Sequence, residues 1–583
     1  MYLSLLMGFH YICDKINIVV DVKTEIASVI KQSLADFTSA KIDFLIEKPQ
    51  NEDFGDYSSN VALVISKILK KNPFDVATEL AEKLNSSGSA LPFLAKVEAV
   101  KPGFINFYLS EEFLKNNLQK AVEEKYGFGK SLENKKIMVE FTDPNPFKDF
   151  HVGHLYTNTV GESISRLLVA MGANLKRANY QGDVGMHVAK AIYGIKKLKL
   201  TIQNLEKENI KERIKSLGES YALGAKDYED DDMAKKEIEE LNKKIYAKDE
   251  AVIGIYKKGR QWSLEYFESL YKRLGTKFDF YYFESEVGDS GLKLVKEYLK
   301  KGIFEESQGA VIFPGKKYSL HDRVFINSLG LPTYEAKELG LAFKKYSDFE
   351  FDQSIVITAN EIIGYFKVLL MALGKINPDL AAKTKHLTHG MVRLPSGKMS
   401  SRTGNIVTGE WLLDEAKKLL KSKYPEMEEE ILEQVAVGAV KYALLKSSLG
   451  HDIEFSFEES INIQGNSGPY IQYTFVRTQS VLAKSRSEIN LRSGPAKLEP
   501  EEISLLRALN NFPEVIAAAG EKFAPNVLCN YLFDLAQKFN LFYQKHKIIG
   551  SKQESFRLDL TRGVGQVLKN GLSLLGIEAP SKM

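Results

Sequence analysis

Cysteine is almost absent from this chain, in which Cys13 and Cys529 are the only two among 583 residues. Two cysteines so far apart cannot build a disulfide framework or supply a zinc ligand pair, so we expect a protein of a reducing cytosol. An excess of one charge is missing as well, since 79 basic and 76 acidic residues leave a net charge of +3. This balance neither demands nor excludes a nucleic-acid partner, because phosphate binding depends on local patches.

A membrane-spanning run is also missing. The first stretch, MYLSLLMGFHYICDKINIVV, is apolar, but it is shorter than a membrane span and lacks the basic region and cleavage site of a secretory signal. It is either a first element that packs on the N-terminal domain or an upstream start-codon artefact. With 44% hydrophobic and 27% charged residues, the chain has the composition of a globular protein, and no membrane partner is expected.

The length predicts two to four domains. Residues 22–130 have the mixed periodicity of a small α+β domain. Residues 131–415 follow the strand, turn, helix, strand order of a Rossmann-like parallel sheet, interrupted at about 196–275 by a Lys/Glu-rich helical insertion that we interpret as a solvated arm. Residues 425–583 predict an all-helical domain. The predicted fold class is therefore α/β and multidomain.

Two of only nine histidines, His151 and His154, flank Gly153 in the segment HVGH. The preceding KKIMVEF alternates like a strand, Pro144 and Pro146 then forbid a helix, and a new helical period begins near the histidines. The first turn of a helix that follows a strand offers unpaired N–H groups and the positive end of the helix dipole, which favour an anion. Gly153 leaves room for a flat ring or a phosphate. The pattern predicts a nucleotide triphosphate site.

A second segment, LPSGKMSSRTGNIV at residues 394–407, carries Lys398 and Arg402 in a Gly/Ser-rich loop. Taken alone, such a loop would be interpreted as solvated surface. Together with HVGH it is suited to neutralise the β- and γ-phosphates while pyrophosphate leaves.

These two segments resemble the signature pair of class I aminoacyl-tRNA synthetases. The surrounding sequence, from about residue 22 to the end, resembles arginyl-tRNA synthetase. The segments that carry the resemblance are VEFTDPNPFKDFHVGHL, NYQGDVG, DRVFINSLGLPTYEAKELG, GNSGPYIQYTFVRTQS and NGLSLLGIEAPSKM. The resemblance implies ATP-dependent ligation of L-arginine to its cognate tRNA through arginyl-adenylate, with release of AMP and pyrophosphate. It further implies that ATP enters with Mg²⁺, that tRNA is bound before the adenylate forms, and that the 2′-OH of the terminal ribose accepts arginine. No structural metal is expected.

The resemblance also implies an arginine pocket. Its residues would be Glu140, Asn145, Tyr334, Glu338 and Glu361. Where this chain has Glu338 the family usually has Asp, so one methylene is added. Carboxylates with a tyrosine face suit a guanidinium, which is planar, permanently charged and rich in donors.

The catalytic and phosphate-binding positions follow from the same resemblance. The family of class I enzymes usually has a second loop lysine where this chain has Ser401, and many arginyl enzymes carry instead a lysine that Lys148 matches. The implied catalytic residues are Lys148, His151, His154, Lys398 and Arg402. The implied ATP-binding residues are His151, Gly153, His154, Gly182, Asp183, Lys398, Met399 and Ser400.

Two outer domains would hold the tRNA. Phe104 and Asn106 match positions where the N-terminal domain of the family reads the D-loop, an aromatic ring and an amide suited to an unstacked base. Gln472, Tyr473 and Arg477 lie on one predicted helix of the last domain, with Lys441 nearby in sequence. We expect a cytoplasmic monomer.

Other interpretations explain part of the pattern. A free-standing adenylyltransferase would account for HVGH and Lys398 but would not need a long helical C-terminal domain. A non-catalytic tRNA-binding paralogue would not need both phosphate segments. The arginyl interpretation requires Glu140 and Glu338 to lie close enough to share one ligand, beside the helix that carries the two histidines.

Overall fold

The structure, a computed structural model, describes residues 22–49, 51–86, 91–394, 407–485, 495 and 497–583. Contacts along the chain separate two units, one within residues 1–121 and 489–510 and the other within residues 122–488 and 511–583.

The first unit contains a four-stranded antiparallel sheet in the order β1-β2-β4-β3. Its elements before residue 122 are α1 (Val22–Leu34), β1 (Ile46–Glu47), β2 (Tyr57–Ser59), α2 (Val61–Leu69), α3 (Pro73–Ser86), β3 (Leu94–Val100), β4 (Phe104–Leu109) and α4 (Glu111–Ala121). In β4, Ile105 and Phe107 are fully buried while Phe104 is partly exposed. Ile105 and Phe107 of β4 therefore pack in the core of this unit, whereas the ring of Phe104 remains accessible at the start of the strand.

The second unit contains parallel and antiparallel strands. Its strands are β5 (Lys136–Glu140), β6 (Asn174–Gln181), β7 (Phe280–Phe283), β8 (Glu305–Ser307), β9 (Ala310–Phe313), β10 (Arg323–Ile326), β11 (Gln353–Ala359), β12 (Thr384–His389), β13 (Val392–Arg393) and β14 (Ile453–Glu454). Five of them form a parallel sheet in the order β12-β11-β5-β6-β7. The chain adds strands on one side of β5 and then on the other, so the strand order reverses between β5 and β11. Parallel sheets bind their ligands at such a reversal, next to the carboxyl ends of the strands. The predicted α/β fold class is confirmed.

Helices alternate with these strands and continue to the C-terminus. They are α5 (Val152–Ala170), α6 (Met186–Lys197), α7 (Ile202–Leu205), α8 (Ile210–Asp230), α9 (Asp232–Tyr246), α10 (Glu250–Leu274), α11 (Glu284–Lys300), α12 (Tyr334–Asp348), α13 (Ile363–Ile376), α14 (Pro378–Lys383), α15 (Gly409–Lys423), α16 (Glu429–Leu445), α17 (Phe457–Ser460), α18 (Gly468–Ala483), α19 (Pro500–Glu521), α20 (Pro525–Lys545) and α21 (Glu554–Leu574). Among the helices described, none is both long enough and apolar enough to cross a membrane.

The signature helix α5 is buried almost throughout and lies directly against β5 and its following loop. Gly161 makes this approach possible, because a Cβ at that position would lie 2.2 Å from the side chain of Phe141. The helix ends at Ala170, and Gly172 follows with a φ of +97°, a backbone angle that favours glycine. The N-terminus of α5 is thereby fixed at the carboxyl end of β5.

The insertion is not the solvated arm that its charge content predicted. Helix α8 packs on α6 so closely that a Cβ on Gly194 would lie 2.0 Å from the Ser220 carbonyl oxygen. Apolar residues at helical spacing between the lysines and glutamates, such as Leu217, Ile238 and Leu241, are buried. The prediction was wrong because it weighed the charged face of these helices and overlooked the apolar one.

Candidate active site

A cavity of about 460 Å³ opens where the ends of β11 and β12 and the loop after β5 meet the first turn of α5. This is the reversal of strand order at which parallel sheets bind ligands. The polar residues in its wall include Asp143, Asn145, His151, His154, Glu361 and His389. The structure therefore brings five predicted residues to one cavity, because Gly153 lies in the same wall as Asn145, His151, His154 and Glu361.

The two signature histidines contact each other at the start of α5. His151 Nδ1 accepts a hydrogen bond from the Gly153 N–H at 3.1 Å, and His154 Nδ1 accepts one from the His151 N–H at 3.2 Å. The rings stack with their centroids 3.6 Å apart. Burial lowers the pKa of His151 to about 4 and lowers the pKa of His154 well below its usual value. A neutral ring whose Nδ1 accepts carries its proton on Nε2, so both imidazoles are uncharged hydrogen-bond donors at pH 7.

The chain that follows the second signature segment returns beside this turn. The Val152 N–H donates to the Val407 carbonyl oxygen at 2.9 Å, and His151 forms a bridge with Thr408. The predicted phosphate-binding residues of the segment lie outside the described residues; they are Lys398, Met399, Ser400 and Arg402. The structure therefore places the downstream end of the segment against the histidine turn.

Lys148 lies near the histidines and contacts the insertion. Its Nζ is 5.0 Å from the centroid of the Tyr221 ring in α8, a cation–π distance. Its positive charge also contributes to the lowered pKa of His151. Helix α8 thus contacts the predicted catalytic lysine.

Gly182 and Asp183 lie behind the cavity and are not part of its described wall. The Gly182 N–H donates to Asn145 Oδ1 at 3.1 Å and so orients an amide that does line the cavity. Asp183 is fully buried, and its carboxylate accepts four hydrogen bonds of 2.7–3.1 Å. The donors are the Tyr256 hydroxyl, Arg260 Nε, and the hydroxyl and backbone N–H of Ser285. The structure thereby corrects the predicted ATP contact of Asp183, because its acceptors are already engaged in bracing the start of α11.

Glu140, the last residue of β5, is paired with a cation of the protein itself. Lys345 Nζ in α12 lies 2.6 Å from Glu140 Oε2, and both side chains are almost completely buried. A carboxylate compensated in this way has little charge left for a second cation. The predicted arginine contact of Glu140 stays a prediction, and Glu140 lies near enough to Glu338 to raise the pKa of Glu338.

Two further acids near Glu338 are paired in the same manner. Glu284, the first residue of α11, lies 2.6 Å from Lys337 Nζ, and both side chains are buried. Glu335 lies 3.1 Å from Arg323. The cluster around the pocket thus consists mostly of acids whose charge is already balanced.

Glu338 differs from these neighbours. No lysine or arginine within the described ranges pairs with its carboxylate. Burial, followed by the charge of Glu140, raises the pKa of Glu338 to about 8. Tyr334, one turn earlier in α12, is 53% exposed, and its ring centroid lies 5.3 Å from Lys337 Nζ. An uncompensated acid next to an accessible aromatic ring suits a guanidinium.

Several residues of the site were not among the sequence predictions. Asp143 and His389 line the cavity, and His389 Nε2 lies 2.7 Å from the Thr157 hydroxyl. Lys345 stands seven residues after Glu338, about two helical turns, which would have placed it on the same face. Glu284 opens a helix after the short aromatic strand FYYF, a weak signal for the carboxyl edge of the sheet.

The predicted D-loop residues border a cavity of about 330 Å³ in the first unit. Phe104 is 37% exposed there, whereas Asn106 is buried at 2%. Lys48 and Lys101 line the same cavity. An exposed ring with nearby cations is an arrangement that can bind a nucleotide.

The residues predicted for the last domain do not share one environment. Gln472 is fully buried, and its amide donates to the Glu578 carbonyl oxygen at 2.8 Å, so its predicted tRNA contact is corrected to a structural position. Lys441 is also buried, with its ammonium on the Gly576 carbonyl oxygen at 2.7 Å. Arg477 lies between the rings of Tyr473 and Tyr543, at 4.9 and 5.3 Å from their centroids.

Comparison with protein families finds three matches along the chain. The catalytic domain of class I tRNA synthetases (R) matches residues 117–457, the arginyl tRNA synthetase N-terminal domain matches residues 22–109, and the DALR anticodon binding domain matches residues 471–583. The parallel sheet with its histidine turn and these matches define a class I aminoacyl-tRNA synthetase.

Individual relatives cover nearly the whole chain. The arginine–tRNA ligase of Clostridium perfringens is 31% identical over 577 residues, which cover 97% of this chain and 100% of that protein. The arginine–tRNA ligase of Borrelia hermsii is 31% identical over 590 residues, covering 97% and 99%. The Thermus thermophilus arginyl-tRNA synthetase structure superposes with a TM-score of 0.78 at 23% identity, covers 96% of this chain and 100% of that one, and shows the shared fold.

This chain belongs to the arginine–tRNA ligases, the class I synthetases that use ATP to attach arginine to tRNA. The function implied by the resemblance to arginyl-tRNA synthetase is confirmed.

Proposed function

We propose that this chain selects arginine through Glu338 and joins it to AMP over the neutral pair His151 and His154. The observation that carries the proposal is the charge state of the pocket. Glu140 and Glu284 are each 2.6 Å from a buried lysine, while no described cation pairs with Glu338. A guanidinium supplies the missing positive charge and can bind the carboxylate through two parallel hydrogen bonds.

The raised pKa of Glu338 supports this role. A carboxyl with a pKa of about 8 is mostly protonated at neutral pH while the pocket holds no cation. A bound guanidinium, which stays charged, favours the carboxylate form and displaces the proton. Tyr334 offers its ring at the rim, and Asn145, held by Gly182, offers an amide at the cavity. Glu361, which lines the same cavity, and Glu140, which stays paired with Lys345, complete the proposed set of arginine-binding residues.

Activation then proceeds by in-line displacement at phosphorus. The arginine carboxylate attacks the α-phosphate of ATP, a carboxyl oxygen to phosphorus bond forms, and the bond to pyrophosphate breaks. The Nε2–H groups of His151 and His154 donate to phosphate oxygens, so charge developing there meets fixed donors. Neutral donors serve this purpose because they bind the phosphate throughout the step without giving up a proton.

The leaving pyrophosphate is neutralised by cations. ATP enters as its Mg²⁺ complex, in which the metal ion belongs to the substrate. Lys148 lies at the histidine turn, and Lys398 and Arg402 of the second signature segment are proposed for the same task. Met399, Ser400 and Gly153 complete the proposed nucleotide contacts. Asp183 supports the site indirectly, through its hydrogen bonds to the start of α11. In the second step the 2′-OH of the terminal tRNA ribose attacks the arginyl carbonyl carbon and AMP leaves.

The proposed tRNA contacts involve both units. Phe104 and Asn106 are proposed for an unstacked nucleotide, supported by the exposed ring and the lysines of the 330 Å³ cavity. Tyr473 and Arg477 are proposed in the helical region, supported by their partial exposure next to Tyr543. We further propose a cytoplasmic monomer with an N-terminal domain at 22–130, a catalytic domain at 131–415 and a helical domain at 425–583.

Glu338→Gln tests the proposal directly. Loss of two hydrogen bonds to a charged group, each worth about 1.5–3 kcal/mol, predicts an arginine KM raised roughly 100-fold or more. The KM for ATP stays within about twofold, since Glu338 does not line the histidine cavity. Glu338→Asp is the matched control and retains most activity because it keeps the charge. Equal losses for ATP and arginine in Glu338→Gln would overturn the role.

A further inference from the structure

The segment that carries Lys148 is held by helix α10 of the insertion. Phe147, directly before Lys148, has a φ of +68°, a backbone angle that non-glycine residues rarely adopt. The Phe147 N–H donates to Ser263 Oγ in α10 at 3.0 Å, and the Phe147 ring is buried. This ring packs so closely on α10 that a Cβ on Gly259 would lie 2.2 Å from it. Helix α10 therefore fixes the backbone before Lys148 in a conformation that is otherwise unfavourable.

Helix α8 of the insertion contacts the next two residues of the segment. A Cβ on Gly218 would lie 3.0 Å from Asp149 Oδ1, so the missing side chain lets the carboxylate approach the helix. Tyr221, about one turn further along α8, has its ring centroid 5.0 Å from Lys148 Nζ. Among the residues that the structure describes, no acid pairs with the Lys148 ammonium. The Tyr221 ring is therefore the group that stabilises this cation in place.

The position of the Tyr221 ring is itself fixed by close packing of α8 on α6. A Cβ on Gly194 would lie 2.0 Å from the Ser220 carbonyl oxygen. One turn later in α8, a Cβ on Gly224 would lie 2.0 Å from the Lys190 carbonyl oxygen. Backbones in such contact leave little room for α8 to shift, so the ring is held at one place beside Lys148.

The charge of Lys148 acts on two helix starts. Burial, followed by the charge of Lys148, lowers the pKa of His151 to about 4 and the pKa of His187, in the first turn of α6, to about 3. The ammonium therefore lies near the histidine turn. A lysine stem is flexible and loses side-chain entropy when its ammonium is held at one place. A contact that orders the stem before the substrate arrives reduces this cost on binding.

We infer that the insertion contributes to the reaction through Tyr221, whose ring positions the Lys148 ammonium at the histidine turn for the leaving pyrophosphate. The inference rests on the proposed function, in which Lys148 neutralises that group. Tyr221 is a positioning residue, since it acts through Lys148. The face of an aromatic ring attracts an ammonium without cancelling its charge, so the full charge of Lys148 stays available for the phosphates. A carboxylate in the place of the ring would hold the lysine but compensate it.

ATP–pyrophosphate exchange by the full-length chain, with arginine and tRNA present, tests the inference. Loss of a cation–π contact predicts that Tyr221→Leu lowers kcat/KM for ATP roughly 3- to 30-fold. Tyr221→Phe keeps the ring and should stay within about twofold of the wild-type chain. Tyr228→Leu is the matched control two turns further along α8, because the Tyr228 ring contacts Lys190 and Lys235 instead. This control should exchange like the wild-type chain.

Lys148→Met supplies a readout that a merely structural role of Tyr221 would not change. With no ammonium left to position, Tyr221→Leu should cost less than about twofold more in the Lys148→Met chain. A structural role would cost the same factor in both backgrounds. Tyr221→Gln, which also lacks a ring, takes the place of Tyr221→Leu if that variant does not fold.

The outcomes separate this inference from the proposed function. If Lys148→Met lowers exchange and Tyr221→Leu does not, the positioning role is wrong and the role of Lys148 stands. Equal losses from Tyr221→Leu in both backgrounds, or a loss in Tyr221→Phe as large as in Tyr221→Leu, would also overturn positioning by the ring. Wild-type exchange in Lys148→Met would remove the proposed role of Lys148 and the inference with it.

Discussion

Lys345 Nζ lies 2.6 Å from Glu140 Oε2, and fewer than one-twentieth of either side chain is exposed. The pair joins the end of the central strand β5 to helix α12, which carries Glu338 two turns earlier. A buried pair of this kind compensates a charge that the sheet edge could not otherwise hold. It also leaves Glu140 with little uncompensated charge, in line with the proposed role of Glu338 as the acid that binds the substrate cation.

Breaking this pair should cost stability. Lys345→Met leaves Glu140 buried without a partner, and removal of one member of a buried ion pair costs about 3–5 kcal/mol. Lys344→Met is a matched control on the same helix, since its partner Asp348 forms an exposed pair worth about 0.5 kcal/mol or less. Urea unfolding of both variants measures the difference. Equal losses in the two variants would show that Glu140 is not compensated by Lys345.

Arginine binding should strengthen as pH rises toward 8. The pKa of Glu338 is raised to about 8, so below that pH the carboxyl must release a proton before it binds the guanidinium. The arginine KM is therefore expected to fall between pH 6 and pH 8 while the ATP KM does not follow it. Steady-state exchange kinetics check this, and in Glu338→Gln the slope should become clearly shallower.

Acid should destabilise the histidine turn. The pKa of His151 is about 4 in the folded chain and about 6.5 when it is unfolded, so the unfolded chain takes up the proton first as pH falls. The stabilisation is fully present above pH 6.5 and is lost progressively toward pH 4. Unfolding free energies at pH 7, 6 and 5 measure this slope, and His151→Asn should reduce it. An unchanged slope in that variant would contradict a buried neutral His151.

Gln472 and Arg477, five residues apart on α18, should respond oppositely to substitution. Gln472→Ala removes a buried amide that bonds to two backbone carbonyls, which predicts a loss of about 1–3 kcal/mol in stability and an unchanged tRNA KM. Arg477→Ala is expected to raise the tRNA KM severalfold with a smaller loss of stability. Thermal unfolding and aminoacylation kinetics measure both. A raised tRNA KM in Gln472→Ala alone would reverse the assignment.

The fold and the histidine turn could be predicted because their signals are local. Strand, two prolines and helix stand in one short segment around HVGH, and the structure places β5 and α5 on it. The partner of Glu140 could not be predicted, because Lys345 is 205 residues away and only the sheet topology brings the two together. The burial of Gln472 could not be predicted for a related reason. A polar residue on a helix does not show whether that face of the helix packs against another element. The packing of the insertion could not be predicted because its lysines and glutamates outnumber the few apolar residues that pack against the neighbouring helices.

The most direct test of the account is ATP–pyrophosphate exchange with each of the twenty amino acids, with and without tRNA. We predict exchange with arginine in the presence of tRNA, at most slight exchange with lysine, and loss of the arginine signal in His151→Ala while tRNA binding remains. Exchange with a different amino acid, or no exchange with arginine when tRNA is present, would contradict the account.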